Sequence, residues 1–82
     1  MKFLYTAHAT KDIRRLPPDV KQRLKTTLER YRKDPLRYSR KIVDSELGSY
    51  RFRVGDYRVV FDIQDNAIVI LRVGHRRDIY RG

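Results

Sequence analysis

The chain has 82 residues, which predicts one domain (1–82) and excludes a second, because so short a chain buries only about 60–65% of its unfolded surface. Twenty Lys and Arg residues against ten Asp and Glu give a formal net charge of +10, which predicts a polyanionic target, an acidic protein partner, or both. The sequence contains no cysteine, which excludes a disulfide framework and a thiolate metal site.

The first predicted element is a short strand over Lys2 to Thr6, where Phe3, Leu4 and Tyr5 favour extended backbone. This amino-terminal segment lacks the long apolar region of a signal peptide, and the sequence has no 18-residue apolar run. We therefore expect a cytoplasmic protein with no membrane partner, which the lack of cysteine also favours.

Two helices are expected next. Thr10 is the predicted N-cap of a short helix over Lys11 to Arg15, and Pro17-Pro18 ends that helix and begins the second. The second helix ends at Asp34-Pro35, and its apolar residues recur at helical spacing, namely Val20, Leu24, Leu28 and Tyr31. The opposite side of this helix is basic and is interpreted as a solvated face.

The rest of the chain predicts a β-meander. Residues 36–49 show no clear periodicity and are interpreted as a connecting loop, with a short extended piece at Ile42-Val43. From residue 50 the pattern has a period of two, which predicts strands near 50–54, 57–64 and 67–73, separated by turns at Gly55-Asp56 and Asp65-Asn66. The predicted fold class is therefore α+β: a strand, two helices and an antiparallel meander, with the helices packed on one face of the sheet.

Arginines alternate with apolar residues in the segment YRFRVGDYRVVFDI, residues 50–63. A two-residue loop at Gly55-Asp56 would place Arg53 directly opposite Arg58. Arg51 lies two residues before Arg53, so these arginines share the sheet face opposite the core. Like charges in direct opposition destabilise an isolated sheet, which favours a functional role over ordinary exposure. Because guanidinium groups bind phosphate oxygens through paired hydrogen bonds, the expected ligand is a phosphodiester backbone.

The second predicted hairpin brings the carboxy-terminal tail to the same surface. A loop at Asp65-Asn66 would set Arg58 opposite Val73. In this register the tail GHRRDIY, residues 74–80, passes the arginines of the first hairpin. We therefore expect the tail to add members to one concave surface, namely His75, Arg76 and Tyr80.

These segments resemble a known family. YRFRVGDYRVVFDI, the later IVILRVGHRRDIYR and the helical KDIRRLP are similar to the RelE/ParE superfamily of bacterial and archaeal toxins, and most similar to its RelE branch. The resemblance implies a microbial RNase-like fold and a ribosome-dependent endoribonuclease that cuts mRNA in the ribosomal A site. It also implies a cognate acidic antitoxin and the ribosome with its mRNA as partners, and no metal or other cofactor.

The resemblance also assigns roles to individual residues. Arg58 matches the family's strand arginine that contacts the scissile phosphate. Arg76 matches its tail arginine, which is implicated in stabilising the transition state or the leaving group. Tyr80 matches the tail tyrosine that stacks on a substrate base, and an aromatic residue that closes the edge of the core is its alternative interpretation. The expected chemistry is attack of the substrate's own 2′-hydroxyl on the neighbouring phosphate.

Proton transfer is where the sequence departs from the family pattern. Arg51 and Arg53 stand where the best-known member has lysines, one of which is proposed as the general base. Arginine stays protonated at every physiological pH, so these residues, with Arg77, are expected to bind RNA and not to accept a proton. A solvent-exposed residue without a ligand is the alternative interpretation of Arg77. His75 is then the candidate for proton transfer, because nearby cations favour a neutral imidazole. A structural turn residue is the alternative interpretation of His75.

Two alternatives to the endoribonuclease follow from the same resemblance. A ParE-like toxin would share the fold and inhibit DNA gyrase without cutting nucleic acid. A non-catalytic RNA-binding homologue would agree with the missing lysines. The presence of Arg58, Arg76 and Tyr80 favours the RelE branch over the ParE branch.

Overall fold

The computed structural model describes residues 1–42 and 47–79. In these residues the elements are β1 (Lys2–Tyr5), α1 (Ala7–Arg14), α2 (Pro18–Tyr31), α3 (Pro35–Tyr38), β2 (Ser39–Lys41), β3 (Tyr50–Val54), β4 (Tyr57–Gln64) and β5 (Ala67–His75). The strands form one mixed sheet in the order β1-β5-β4-β3-β2, in which β1 is parallel to β5 and the other neighbours are antiparallel. None of the helices described is both long and apolar enough to cross a membrane.

The hydrophobic core lies between α1, α2 and one face of the sheet, which confirms the predicted α+β fold with helices on one side. Side chains alternate between the two faces of a strand, so every second residue of β3 and β4 points into this core. Phe52 and Phe61 are fully buried there, with their rings stacked at a centroid distance of 4.2 Å. Leu24 and Leu28, one helical turn apart on α2, cover the sheet.

Helix α1 begins earlier than the sequence pattern predicts. Thr6, not Thr10, is its N-cap: the Thr6 backbone is extended, and its Oγ1 accepts a hydrogen bond from the backbone N–H of Ala9 at 3.1 Å. Thr10 lies inside the helix, where its hydroxyl donates to the Thr6 carbonyl at 3.0 Å. The prediction was wrong because both threonines offer a capping hydroxyl, and the end of β1 at Tyr5 selects the earlier one.

The segment interpreted as a connecting loop contains two elements. Helix α3 makes one short turn, and β2 then pairs antiparallel with β3, placing Arg40 opposite Arg51. Strand β2, Ser39–Lys41, lies directly before the extended piece predicted at Ile42-Val43. The Ile42 N–H donates to the Ser49 carbonyl at 2.9 Å, and Val43 is outside the described residues. Because β2 is a short and largely exposed edge strand, it lacks the alternation that reveals a half-buried strand.

The ladder between β4 and β5 contains a β-bulge that the sequence pattern did not predict. Leu71 is the extra residue, left between two pairs of the ladder, Phe61 with Ile70 and Val60 with Arg72. Beyond it the register is offset by one, so Arg58 lies opposite Gly74, and the predicted pair with Val73 is wrong. The offset moves later residues to the other face of the sheet. Val73, expected on the arginine side, is buried in the core.

Side chains from the N-cap and the last turn of α1 satisfy the backbone around the bulge. The hydroxyl of Thr6 donates to the Leu71 carbonyl at 3.1 Å. Asp12 Oδ2 accepts from the backbone N–H of Val73 at 3.0 Å and from Nε of Arg72 at 2.8 Å. The side chains of this ion pair are only 11% (Asp12) and 26% (Arg72) exposed. The N-cap residue Thr6, helix α1 and the bulge in β5 are therefore joined by hydrogen bonds into one unit.

Removal of the Asp12 carboxylate is expected to destabilise this unit. Asp12→Ala leaves a half-buried guanidinium and a backbone N–H without their acceptor, so we expect the free energy of unfolding to fall by about 2–3 kcal/mol. Urea denaturation followed by circular dichroism measures this value. Asp19→Ala, at an exposed position of α2, is the control and should cost less than about 1 kcal/mol. Equal losses in the two variants would contradict a structural role for Asp12.

Residues 47–49 cover part of the sheet face that the helices leave open. Gly48 approaches this face so closely that an added Cβ would lie 2.7 Å from side-chain atoms of Val60 and Leu71. The backbone N–H of Ser49 donates to the Asp62 carboxylate at 2.6 Å. Val60, which points away from the core, is fully buried as a result. The open part of this face is the end that carries the arginines.

Candidate functional site

Arginines of β2, β3 and β4 lie side by side on the sheet face opposite the helices. Arg40 is directly opposite Arg51, and Arg53 is directly opposite Arg58. Residues paired across antiparallel strands have Cα atoms about 4.5–5.5 Å apart, so these cations stand in close opposition. We call the surface formed by Arg40, Arg51, Arg53 and Arg58 the arginine face. Its concentrated positive charge favours a polyanion.

Sequence reasoning identified most of this surface. The shared face of Arg51, Arg53 and Arg58 is confirmed, as is the direct opposition of Arg53 and Arg58. Arg40 was missed because β2 was not recognised as a strand. The available signal was weak: charged residues are common on edge strands, and the Ser39–Lys41 segment carries two.

Arg58 is held firmly by the β3–β4 turn. Its side chain is buried, with the residue only 8% exposed, and Nη1 donates to the carbonyls of Gly55 and Tyr57, each at 2.9 Å. Gly55 has a φ of 60°, in the left-handed region that glycine adopts without strain. The turn therefore orients a guanidinium that would otherwise sample many rotamers.

Arg76 is attached to the same turn. Its backbone N–H donates to the Asp56 carbonyl at 2.8 Å, and its Nε lies 3.8 Å from the Asp56 carboxylate. Both side chains are exposed, so this ion pair is weak and leaves the guanidinium accessible. Arg58 and Arg76 are thus anchored to consecutive residues, Gly55 and Asp56. The start of the tail therefore lies next to the first hairpin, as expected, because Arg76 is hydrogen-bonded to the turn of that hairpin.

His75 lies on the other side of the sheet from the arginine face. It pairs with Tyr57, and the two rings meet edge to face at a centroid distance of 5.5 Å. By alternation it shares the side of Val73, and it borders a cavity lined by residues of α1 and the turn that follows. The expected position of His75 beside the arginines is therefore wrong, because the bulge reverses the faces of the strand end.

The described part of the tail folds back onto the sheet beside Arg58. Ile79 is buried, and a Cβ added at Gly74 would lie 3.2 Å from its Cδ1. Gly74 is the residue opposite Arg58, and a side chain at this position would require Ile79 to shift by a few tenths of an ångström. Arg77 is exposed, in keeping with either expectation for it, and Tyr80 lies outside the described residues.

Comparison with known proteins decides the family. The profile of the ParE toxin family of type II toxin–antitoxin systems (parDE) matches residues 3–80. This chain belongs to the RelE/ParE toxin superfamily. The toxin is 30% identical to toxin RelE3 of Methanocaldococcus jannaschii over 98% of this chain and 96% of that protein. It is 35% identical to toxin RelG of Mycobacterium tuberculosis over 94% and 92% of the two chains.

Solved structures agree with this assignment. A chain of the RelBE2 toxin–antitoxin complex from Mycobacterium tuberculosis superposes on the toxin with a TM-score of 0.75, at 31% identity, over 92% of this chain and 96% of that chain. A chain of the RelB–RelE complex from Methanococcus jannaschii gives a TM-score of 0.73 at 28% identity, over 95% of both chains. The protein is therefore a type II toxin with a RelE-like fold.

The toxin also has an apolar groove on its helix side, of about 410 Å³. β1, α1 and α2 form this groove, and its apolar lining residues are Phe3, Tyr5, Ile13, Leu24 and Leu28. Its charged lining residues are the cations Arg14, Lys21 and Lys25 and one anion, Glu29. Burial raises the pKa of the Tyr5 hydroxyl, the Glu29 carboxylate raises it further, and the Arg32 guanidinium opposes both. Because α1 and α2 pack on the sheet face opposite the arginine face, the groove and the arginine face lie on opposite sides of the sheet.

Proposed function

We propose that this toxin is a ribosome-dependent endoribonuclease that cleaves mRNA in the ribosomal A site. The supporting observation is the attachment of Arg58 and Arg76 to the same two-residue turn. These are the arginines that the family resemblance assigns to the scissile phosphate and to transition-state or leaving-group stabilisation. Arg53, directly opposite Arg58, adds a third positive charge for the same phosphate.

The proposed reaction begins with attack of a 2′-hydroxyl on the adjacent phosphate. A 2′,3′-cyclic phosphate forms, and the bond to the 5′-oxygen of the next nucleotide breaks. Negative charge grows on the phosphorane and on the leaving oxygen, where Arg53, Arg58 and Arg76 would stabilise it. Because Arg58 is already fixed by two carbonyls, little reorganisation is needed as this charge develops.

Two protons must also move: one leaves the 2′-hydroxyl, and one reaches the departing 5′-oxygen. The arginines can donate hydrogen bonds but cannot take the first proton. Tyr80 is proposed to stack on a substrate base, as the resemblance implies. Among the described residues of the proposed site, His75 carries the only side-chain nitrogen lone pair, so its hydrogen bonding decides whether it can take the first proton.

The hydrogen bond of His75 supports a positioning role. Its Nδ1 accepts from the backbone N–H of Arg77 at 3.1 Å, so the neutral ring carries its proton on Nε2 and has no lone pair left for a substrate proton. The His75 carbonyl also accepts from the N–H groups of Asp78 and Ile79. His75 would therefore order the turn that contains Arg76 and leads toward Tyr80.

Two substitutions separate positioning from proton abstraction. His75→Asn keeps an acceptor near the place of Nδ1, so we expect it to retain most mRNA cleavage. His75→Gln moves that acceptor one bond further out, and we expect a loss of about tenfold, the worth of one hydrogen bond. Primer extension on programmed ribosomes measures both. A loss of about 10²–10⁴-fold in both variants would instead identify a general base.

The same assay tests the proposed function against the alternatives. Codon-positioned cuts in mRNA on ribosomes, together with normal DNA gyrase supercoiling, are the expected result. Gyrase inhibition is the second candidate, because the matching family profile is that of ParE toxins. Intact mRNA with blocked supercoiling would establish that candidate, and RNA binding without either effect would indicate a non-catalytic homologue.

We also propose an acidic antitoxin as the toxin's partner. The solved relatives are complexes of a toxin with a RelB antitoxin, and the net charge of +10 favours an acidic protein. The apolar groove with Arg14, Lys21 and Lys25 in its lining fits the apolar face and acidic flanks of an amphipathic helix. A ribosomal target would place the free toxin in the cytoplasm.

A further inference from the structure

A small pocket lies at the β2–β3 end of the arginine face. Its volume is about 120 Å³, roughly the liquid volume of four water molecules, and its lining residues are Tyr38, Arg40, Arg51 and Arg53. Arg40 and Arg51 are paired directly across the two strands. The pocket is therefore suited to a small anionic group such as a single phosphate.

Tyr38 places an ordered aromatic ring at the edge of this pocket. It is 41% exposed although it is large and aromatic. One side of the ring stacks on Tyr31, with centroids 4.7 Å apart and the planes 11° from parallel. The Tyr31 hydroxyl in turn donates to the Arg53 carbonyl at 3.4 Å, which links this stack to β3. The Arg37 guanidinium lies over the Tyr38 ring, 5.7 Å from its centroid, and adds positive charge there. A base that stacks on Tyr38 would displace this long, flexible side chain.

We propose that Tyr38, Arg40, Arg51 and Arg53 form a nucleotide subsite for single-stranded RNA, next to the site of cleavage. A base stacks against Tyr38, and its phosphate binds in the pocket between the arginines. An exposed aromatic ring beside a cationic groove is the combination that proteins use for single-stranded nucleic acids. The identification of the ligand as mRNA rests on the proposed function.

The subsite adjoins the proposed active site through Arg53. This residue lines the pocket and also lies directly opposite Arg58. Strands are about 4.8 Å apart, so β2 and β4 are separated by about 10 Å. That span suits neighbouring nucleotides of one strand, with the scissile phosphate at Arg58 and the adjacent nucleotide at Tyr38. An acidic peptide would pair with the arginines equally well but would make no use of the aromatic ring.

Binding of a short single-stranded RNA tests this subsite without ribosomes. The probe carries 2′-O-methyl groups, which prevent attack by the 2′-hydroxyl. We expect Tyr38→Leu to raise the Kd about 5- to 100-fold and Tyr38→Phe to leave it nearly unchanged. We expect Arg40→Ala to reduce the dependence of log Kd on log salt concentration by about one. Lys2→Ala, which removes a charge on β1 at the opposite edge of the sheet, is the control.

Several results would overturn the subsite. If Tyr38→Leu leaves the Kd unchanged while Arg40→Ala weakens binding, the surface binds anions in general and is not a nucleotide subsite. A poly-glutamate peptide that binds as tightly as the RNA, independently of Tyr38, would assign the surface to an acidic peptide. If Tyr38→Leu lowers the melting temperature, the Tyr38 ring protons of the unaltered toxin provide a second measurement. We expect an upfield NMR shift on addition of RNA, and no shift would contradict stacking.

Failure of the subsite and failure of the proposed function give different results. A toxin that binds the probe through Tyr38 but leaves mRNA intact on ribosomes would exclude the endoribonuclease and retain the subsite. If the toxin cuts mRNA on ribosomes but Tyr38→Leu leaves the Kd for the RNA probe unchanged, the endoribonuclease is retained and the subsite is excluded.

Discussion

Arg58→Ala is expected to reduce mRNA cleavage on programmed ribosomes by about 10²–10³-fold, the cost of removing one preorganised donor to a developing oxyanion. The reason is the combination of burial and fixed geometry at this residue. Its Nη1 is held by the carbonyls of Gly55 and Tyr57, so its guanidinium has a defined position beside Arg53 before RNA arrives. Single-turnover cleavage rates, measured by primer extension, report the loss.

Arg58→Lys separates charge from geometry in the same assay. Lysine keeps the positive charge but cannot reproduce a planar fork that reaches the turn and a phosphate together, so we expect it to recover only part of the loss. Arg15→Ala, an exposed arginine on the helix side, is the control and should cleave at the wild-type rate. Because Arg58 is buried, each variant is checked by thermal denaturation. Wild-type cleavage by folded Arg58→Ala would exclude this residue from catalysis.

Arg76→Ala is expected to reduce cleavage by about 10²-fold through loss of charge stabilisation at the leaving oxygen. The structure provides a companion variant, because the Arg76 side chain is tethered only loosely to the Asp56 carboxylate at 3.8 Å. Asp56→Ala removes this tether and keeps the Asp56 carbonyl that accepts the Arg76 backbone N–H. We therefore expect Asp56→Ala to change the cleavage rate by less than about threefold, the effect of an exposed ion pair.

The pair of variants tells a direct role from an indirect one. A large loss in Arg76→Ala with a small change in Asp56→Ala supports contact between Arg76 and the reacting phosphate. Equal losses in the two variants would show that the ion pair serves to hold the tail and that the guanidinium itself takes no part. An unchanged rate in both would remove Arg76 from the proposed site.

Local patterns were sufficient to predict the parts of the fold whose residues repeat with a clear period. The spacing of Leu24 and Leu28 predicted α2, and the alternation from residue 50 onward predicted the first hairpin with its Arg53–Arg58 pair. In both cases burial on one face leaves a periodic record in the sequence. Strand β2 is too short and too exposed to show such a periodic pattern, and Arg40 was missed for this reason.

The position of His75 could not be predicted, for a different physical reason. The bulge at Leu71 depends on contacts with residues far away in the sequence, through the Thr6 hydroxyl and the Asp12 carboxylate. Local patterns carry no trace of such a contact, and β-branched and aliphatic residues fit either register. The family resemblance correctly named the superfamily, but it did not show on which side of the sheet His75 would lie.

The Leu71 bulge has a consequence for comparing this toxin with its relatives. An alignment that matches strands by the alternation of buried and exposed residues assumes that this alternation is continuous. In β5 it is interrupted at Leu71, between the Asp65-Asn66 turn and the tail. In a strand without the extra residue, the residues that follow would lie on the opposite face of the sheet. In this toxin the positions of the tail residues therefore follow from the pairing of Gly74 with Arg58, and not from their distance to the Asp65-Asn66 turn.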